Sequence, residues 1–185
     1  MPTFLETPIS GVIVVEPDVH RDDRGFFLET FHAPKYREGG IRETFVQDNH
    51  SRSSRGTLRG LHGQCPGPQG KLVRVIEGEV FDVAVDVRRA SPSYSQYFSI
   101  MLSADNFHQL YVPPGILHGF LVTSEIAQFE YKCTDVYSPS TEFSVAWNDP
   151  DIGIEWPIES PILSEKDLNA PRLKDVSDKL VDYRP

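Results

Sequence analysis

Two stretches of the sequence hold more polar groups than a structural strand needs. The first is Gln47-Asp48-Asn49-His50-Ser51-Arg52, followed by Thr57-Leu58-Arg59-Gly60-Leu61-His62-Gly63-Gln64. The second, Pro113-Pro114-Gly115-Ile116-Leu117-His118-Gly119-Phe120, is a tight turn that delivers a histidine into a strand-like run. Imidazole titrates near neutrality, so a histidine so placed can take and return a proton at physiological pH. In an alternating strand His62 shares a side with Gln64, and Gly60 or Gly63 lets another group approach the backbone closely. His20, His32, His50 and His108 lie in no comparable setting and read as core or rim residues. Taken alone, Lys71 reads as a solvated strand lysine, Tyr131 as a core tyrosine, Arg24 as a turn residue and Glu142 as surface.

The elements that must carry these groups are mostly strands. Phe81, Val83, Val85 and Val87 alternate with Val80, Asp82, Ala84 and Asp86, which predicts a strand over 80–87. The run 128–137 alternates Phe129, Tyr131, Cys133, Asp135 and Tyr137 with Gln128, Glu130, Lys132, Thr134 and Val136. Further strand-like runs cover 4–7, 12–15, 26–31, 71–76, 97–102, 109–112 and 119–123, separated by Gly- and Pro-containing turns at the spacing of an all-β sandwich or barrel. Helical signals are brief. Pro34 can open a short helix through Arg37 that Gly39-Gly40 stops, and Ser164-Glu165-Lys166-Asp167 reads as a capping box limited by Pro171.

Composition narrows the function classes. The 185 residues fit one domain, with a core expected over about 4–176. Against 18 Lys and Arg stand 27 Asp and Glu, a net charge of −9, which argues against a nucleic-acid partner but leaves room for a small anionic ligand. With 39% hydrophobic residues the chain can build a core. No apolar run approaches a membrane span, and the first residues lack the basic and apolar regions of a signal peptide, so a cytoplasmic location is expected. Cys65 and Cys133 are too few for a disulfide scaffold; a single bridge between them is left open.

Gly60-x-His62-x-Gln64, Lys71, Gly78 and Pro114-Gly115-x-x-His118 resemble the two motifs of the cupin superfamily of jelly rolls. Where metal-binding cupins carry a second His and a Glu, this chain has Gln64 and Lys71. An amide is a poor substitute for imidazole, and an ammonium repels a cation, so no metal is expected. The resemblance tightens in Asp23-Arg24-Gly25-Phe26-Phe27-x-Glu29, Gln47-Asp48-Asn49-His50-Ser51, Leu58-Arg59-Gly60-Leu61-His62, Gly70-Lys71, Pro114-Gly115-x-x-His118-Gly119-Phe120, Tyr131-Lys132-Cys133-Thr134-Asp135 and Trp147-Asn148-Asp149-Pro150. These seven motifs, in order and at compatible spacing, resemble the dTDP-4-dehydrorhamnose 3,5-epimerase family.

The resemblance implies a cupin-type jelly roll with a short helical C-terminal region and a nucleotide-linked 4-keto-6-deoxy sugar as substrate. It implies cofactor-independent removal and return of protons α to the C4 ketone. His62 would be the base, Asp167 the carboxylate that orients it, Lys71 the cation for the enolate oxygen and Tyr131 the acid on the opposite face. Asp167 also closes the Ser164 capping box, and one carboxylate serving both roles should be compromised in each. Arg24 and Arg59 match diphosphate-binding positions, and Tyr137 matches a tyrosine that stacks on thymine. Phe27, Glu29, Gln47, Asn49, His118, Glu142 and Lys166 match other substrate-binding positions. A homodimer is implied, with the partner contributing near the sugar nucleotide.

One departure stands beside the base. The family usually has an aromatic residue after that histidine; here it is Gly63, followed by Cys65-Pro66-Gly67-Pro68. An epimerase acting at C3 or C5 alone is therefore the alternative. A metal-dependent cupin and a non-catalytic sugar-nucleotide-binding cupin fit the residues less well.

Overall fold

The computed structural model describes residues 1–184. The alternating runs form thirteen strands: β1 (Thr3–Glu6), β2 (Ile13–Glu16), β3 (Val19–Asp22), β4 (Gly25–Leu28), β5 (Gln47–Ser54), β6 (Leu58–Gln64), β7 (Lys71–Glu77), β8 (Glu79–Asp86), β9 (Tyr97–Ser103), β10 (Gln109–Val112), β11 (Ile116–Val122), β12 (Ile126–Cys133) and β13 (Glu142–Ser144). One sheet runs β1-β2-β10-β7-β12-β5, the other β13-β6-β11-β8-β9, and β3 and β4 form a separate hairpin. Neighbours in each are antiparallel. This is the expected jelly roll.

Between the sheets lies an apolar core to which both contribute, including Val14, Val73, Leu110 and Phe129 from one and Val80, Ala84, Leu102 and Phe120 from the other. The outer faces are also covered. Helix α1 (Ala33–Glu38), capped by His32 and ended at Gly39, lays Tyr36 over Ile13, Val15, Leu72 and Tyr111. The C-terminal segment packs Leu173, Val176 and Leu180 against Val83, Val85, Val87 and Leu117. From Asp82 onward strand β8 is therefore buried on both faces, which the alternation of Val with Asp does not convey. Its two aspartates are fully buried and paired: Asp82 with His118, and Asp86 with Arg88, Ser91 and Ser93.

One expected strand is shorter than its alternation predicts, one strand falls where none was expected, and the close approach expected at Gly60 is present. The strand expected over 128–137 stops at Cys133, because its partners β5 and β7 end opposite it at Gln47 and Lys71. The polar run 47–54 is a strand despite its composition, alternating partly buried Gln47, Asn49 and Ser51 with exposed Asp48, His50 and Arg52. Gly60 does admit a close neighbour, but that neighbour is backbone: a Cβ there would lie 2.6 Å from Gly119 Cα at the irregularity in the β6–β11 ladder. The cysteines are both free, and among the described residues no helix is long and apolar enough to cross a membrane.

Candidate active site

At one end of the jelly roll the two sheets part over a cavity of about 650 Å³, within the usual size for small-molecule sites. Gln47, Asn49 and Ser51 of β5, Arg59 and His62 of β6, Lys71 of β7, His118 of β11, Tyr131 of β12 and Glu142 of β13 line it. Phe120 and Phe129, stacked with centroids 4.1 Å apart, form the apolar wall where the cavity meets the core. Helix α2 (Glu165–Leu168) closes the remaining side with Lys166 and Asp167.

The bulged register that brings Gly60 against Gly119 leaves His62 directly opposite His118. His62 Nε2 lies 2.6 Å from Asp167 Oδ1, and Asp167 is almost fully buried. The expected conflict over this carboxylate does not arise. The helix is capped by Ser164, whose hydroxyl accepts the Asp167 N–H at 3.1 Å and donates to Asp167 Oδ2 at 2.9 Å. One carboxylate oxygen therefore serves the imidazole and the other its own cap. Burial alone would raise the Asp167 carboxyl, but the His62 hydrogen bond and charge, with help from Ser164, outweigh it and hold the group below the usual carboxylate range. With Nε2–H donated to Asp167, a neutral His62 keeps its lone pair on Nδ1.

Lys71 forms no ion pair among the described residues, and burial pulls its ammonium below the usual lysine range against the nearby Cys133, Glu142 and Asp82. Burial pushes the Tyr131 phenol up, reinforced by Cys133 and Glu142, so it stays protonated and able to donate. His118, stacked on Phe129, is held by Asp82 at 3.0 Å from both oxygens. Arg59 donates from Nε to Ser53 Oγ at 3.1 Å. At the cavity mouth Glu142 binds Lys166 at 2.7 Å and accepts from the Tyr137 hydroxyl at 3.0 Å. Burial would raise the Glu142 carboxyl, yet those two partners hold it low.

Eleven of the fourteen site residues expected from sequence thus line one cavity: His62, Asp167, Tyr131, Lys71, Gln47, Asn49, Arg59, His118, Tyr137, Glu142 and Lys166. Arg24, Phe27 and Glu29 do not join them within this chain. Arg24 sits at the turn of the β3–β4 hairpin, paired with Asp22; Phe27 projects into solvent; Glu29 pairs with Lys35. Two further residues support the site: Asp82, whose only signal in the sequence is a carboxylate interrupting an apolar strand, holds His118, and Ser164, which reads in the sequence as a cap alone, also donates to Asp167.

A metal of the kind bound by cupins does not fit these residues. The Gln64 amide is spent on backbone groups, the Lys71 ammonium takes the place of the carboxylate, and among the described residues no three His, Cys, Asp or Glu converge.

Fold and cavity together define a cupin-type jelly roll whose cavity is lined by His62, Lys71, Tyr131 and Asp167. The chain belongs to the dTDP-4-dehydrorhamnose 3,5-epimerase family, whose model matches residues 6–175. It is 49% identical over 169 residues to the dTDP-4-dehydrorhamnose 3,5-epimerase of Methanothermobacter thermautotrophicus, covering 90% of this chain and 91% of that one. The dTDP-6-deoxy-D-glucose-3,5-epimerase of Legionella pneumophila, solved with dTDP-4-keto-L-rhamnose, superposes with a TM-score of 0.97 at 46% identity over 100% of both chains. A 3′-monoepimerase from Streptomyces bikiniensis, solved with dTDP-quinovose, gives a TM-score of 0.89 at 34% identity over 96% of this chain and 92% of that one.

Proposed function

We propose that the chain converts dTDP-4-dehydro-6-deoxy-D-glucose to dTDP-4-dehydro-L-rhamnose by epimerising C3 and C5 without a cofactor. The observation that carries this reading is the 2.6 Å His62–Asp167 pair, facing the same cavity as Lys71 and Tyr131 in a chain of this family. The C3 and C5 protons are acidic because each lies α to the C4 ketone. His62 Nδ1 takes one of them, and the imidazolium that forms is stabilised by Asp167. The electron pair left on carbon delocalises onto O4, where the Lys71 ammonium offsets the charge. Tyr131 then delivers a proton to the opposite face, and the centre is inverted. Arg59, Gln47, Asn49, His118 and Lys166 are assigned to holding the sugar and diphosphate, and Tyr137 to stacking on the base.

Arg24, Phe27 and Glu29 act in this reading on a second copy of the chain. Their hairpin stands outside its own cavity, and Phe27 is 71% exposed, an unfavourable position for a large apolar ring unless something covers it. A homodimer that lends this hairpin to its neighbour's cavity accounts for both facts. Sedimentation at working concentration should give twice 20.9 kDa; a monomer would overturn this part of the reading.

Incubation with dTDP-4-keto-6-deoxyglucose in D₂O, followed by proton NMR, tests the whole. Deuterium at both C3 and C5 with the L-rhamno configuration is expected. A second reading, inversion at one centre only, is favoured by Gly63 beside the base, and deuterium at a single carbon would select it. No exchange at either carbon would sink both.

A further inference from the structure

We propose that Gln64 and Gln69 are positioning residues which, together with Gln47, hold Tyr137 in the orientation needed to receive the nucleotide base; this rests on the reading of Tyr137 given above. Past Cys133 the chain leaves the sheet, so the backbone groups that carry Tyr137 have no ladder to pair with and must be satisfied otherwise. They are satisfied by side chains from distant parts of the sequence. Gln69 Nε2 donates to Asp135 O at 2.7 Å, and Gln64 Nε2 to Val136 O at 3.2 Å. Gln47 Oε1 accepts the Tyr137 N–H at 2.8 Å, and Gln64 Oε1 accepts the Ser138 N–H at 2.9 Å. Gln64 Nε2 also donates to Gly67 O at 2.6 Å, which ties the Cys65–Pro68 loop to the same point.

The partners leave no freedom in the Gln64 amide: its nitrogen faces two carbonyls and its oxygen an N–H. Gln64 is buried, lies two residues from His62 on the same strand, and does not line the main cavity; Gln69 does line it, so for Gln69 the Tyr137→Ala background is what separates an indirect effect from a direct contact. The same strand therefore carries the base and, through this amide, fixes the position of Tyr137. The tyrosine ring itself is 49% exposed and is pinned at its far end by Glu142. An exposed aromatic ring held at both backbone and hydroxyl loses little freedom when a flat ligand stacks on it, and such preorganisation appears as affinity.

A double-mutant cycle on the full-length protein separates this role from a merely structural one, with thymidine diphosphate as the probe. Gln64→Ala and Gln69→Ala should each raise its Kd about tenfold. Turnover at saturating substrate should fall less than about threefold, because His62 and Asp167 are untouched. In a Tyr137→Ala background the same two substitutions should change Kd less than twofold, since the ring they act through is gone. Losses that add in full on top of Tyr137→Ala, or a kcat that falls in step with affinity, would overturn the inference. The two glutamines are independent arms, so if Gln64→Ala does not fold, Gln69→Ala carries the test. A wild-type protein that binds no thymidine diphosphate would instead refute the assignment of the ligand, whatever the glutamines do.

Discussion

Asp167→Asn tests the arrangement around the base most sharply, because the wild-type geometry dictates how the amide can sit. In the wild type Oδ1 serves His62 and Oδ2 accepts the Ser164 hydroxyl proton. An asparagine that keeps its oxygen toward Ser164 must point its NH₂ at His62 Nε2. That draws the imidazole lone pair to Nε2, puts the proton on Nδ1, and leaves no base facing the cavity. Turning the amide over restores the tautomer but leaves the Ser164 hydroxyl without its acceptor, at about 0.5–1.5 kcal/mol. Neither orientation restores the negative charge. For unit charges about 4 Å apart at an effective dielectric near 20, that charge stabilises the developing imidazolium by about 4 kcal/mol. The partial exposure of His62 trims this to roughly 3 kcal/mol, so Asp167→Asn should slow exchange by about 10²–10³-fold. Solvent-deuterium incorporation followed by NMR measures it directly, with circular dichroism to show that the fold persists. Adding Ser164→Ala should recover about three- to tenfold, because the amide then turns its oxygen to His62 without penalty. Exchange within threefold of wild type in Asp167→Asn would refute the pairing as functional, and a slower double variant would refute the argument from amide orientation.

Tyr131→Phe should separate exchange from inversion: His62 still forms the enolate, but the opposite-face proton is missing, so inversion should fall about 10²–10⁴-fold while exchange falls less. Equal losses in the NMR time course would count against Tyr131 as that acid. Asp86→Asn should destabilise the protein by about 3–5 kcal/mol, or roughly 10 °C in calorimetry, because it leaves the buried Arg88 charge without its compensating carboxylate. Although burial opposes it, the network of Arg88, Ser91 and Ser93 holds the Asp86 carboxyl below its unfolded value, so its contribution is present above about pH 4 and fades as pH falls through the lower folded value. The variant should therefore show a shallower acid limb of stability, and an unchanged limb would speak against the pair. Gly63→Ala should cost about 1–3 kcal/mol, since its Cβ would lie 2.7 Å from Leu117 and 2.8 Å from the Phe143 ring directly across the ladder. In a Phe143→Leu background the cost should shrink without vanishing, because the Leu117 contact remains; equal costs in chemical denaturation would show that the ring is not the obstacle.

The sequence by itself determined most of the strands, because alternation of side chains with period two survives in runs such as 80–87 and 128–133 whatever they later pack against, whereas the short β3 and β13 and the polar β5 gave no such signal. It also pointed to the groups at the site, since His62, Lys71 and Tyr131 stand in motifs whose order and spacing point to one family, and the resemblance to that family adds Asp167. It could not reveal which faces are buried: β8 looks half polar yet is enclosed from Asp82 onward, because C-terminal segments distant in sequence cover what alternation would leave to solvent. Nor could it divide the work of Asp167 between two oxygens, a matter of ångströms that depends on how α2 lies against β6. The glutamine contacts that hold Tyr137 span 66 to 90 residues and replace a ladder that runs out at Cys133. An amide has no sequence signature for what it will bond, because its partners are backbone groups present at every position. Only the tertiary structure, which decides where a strand loses its neighbours, decides where those side chains are needed.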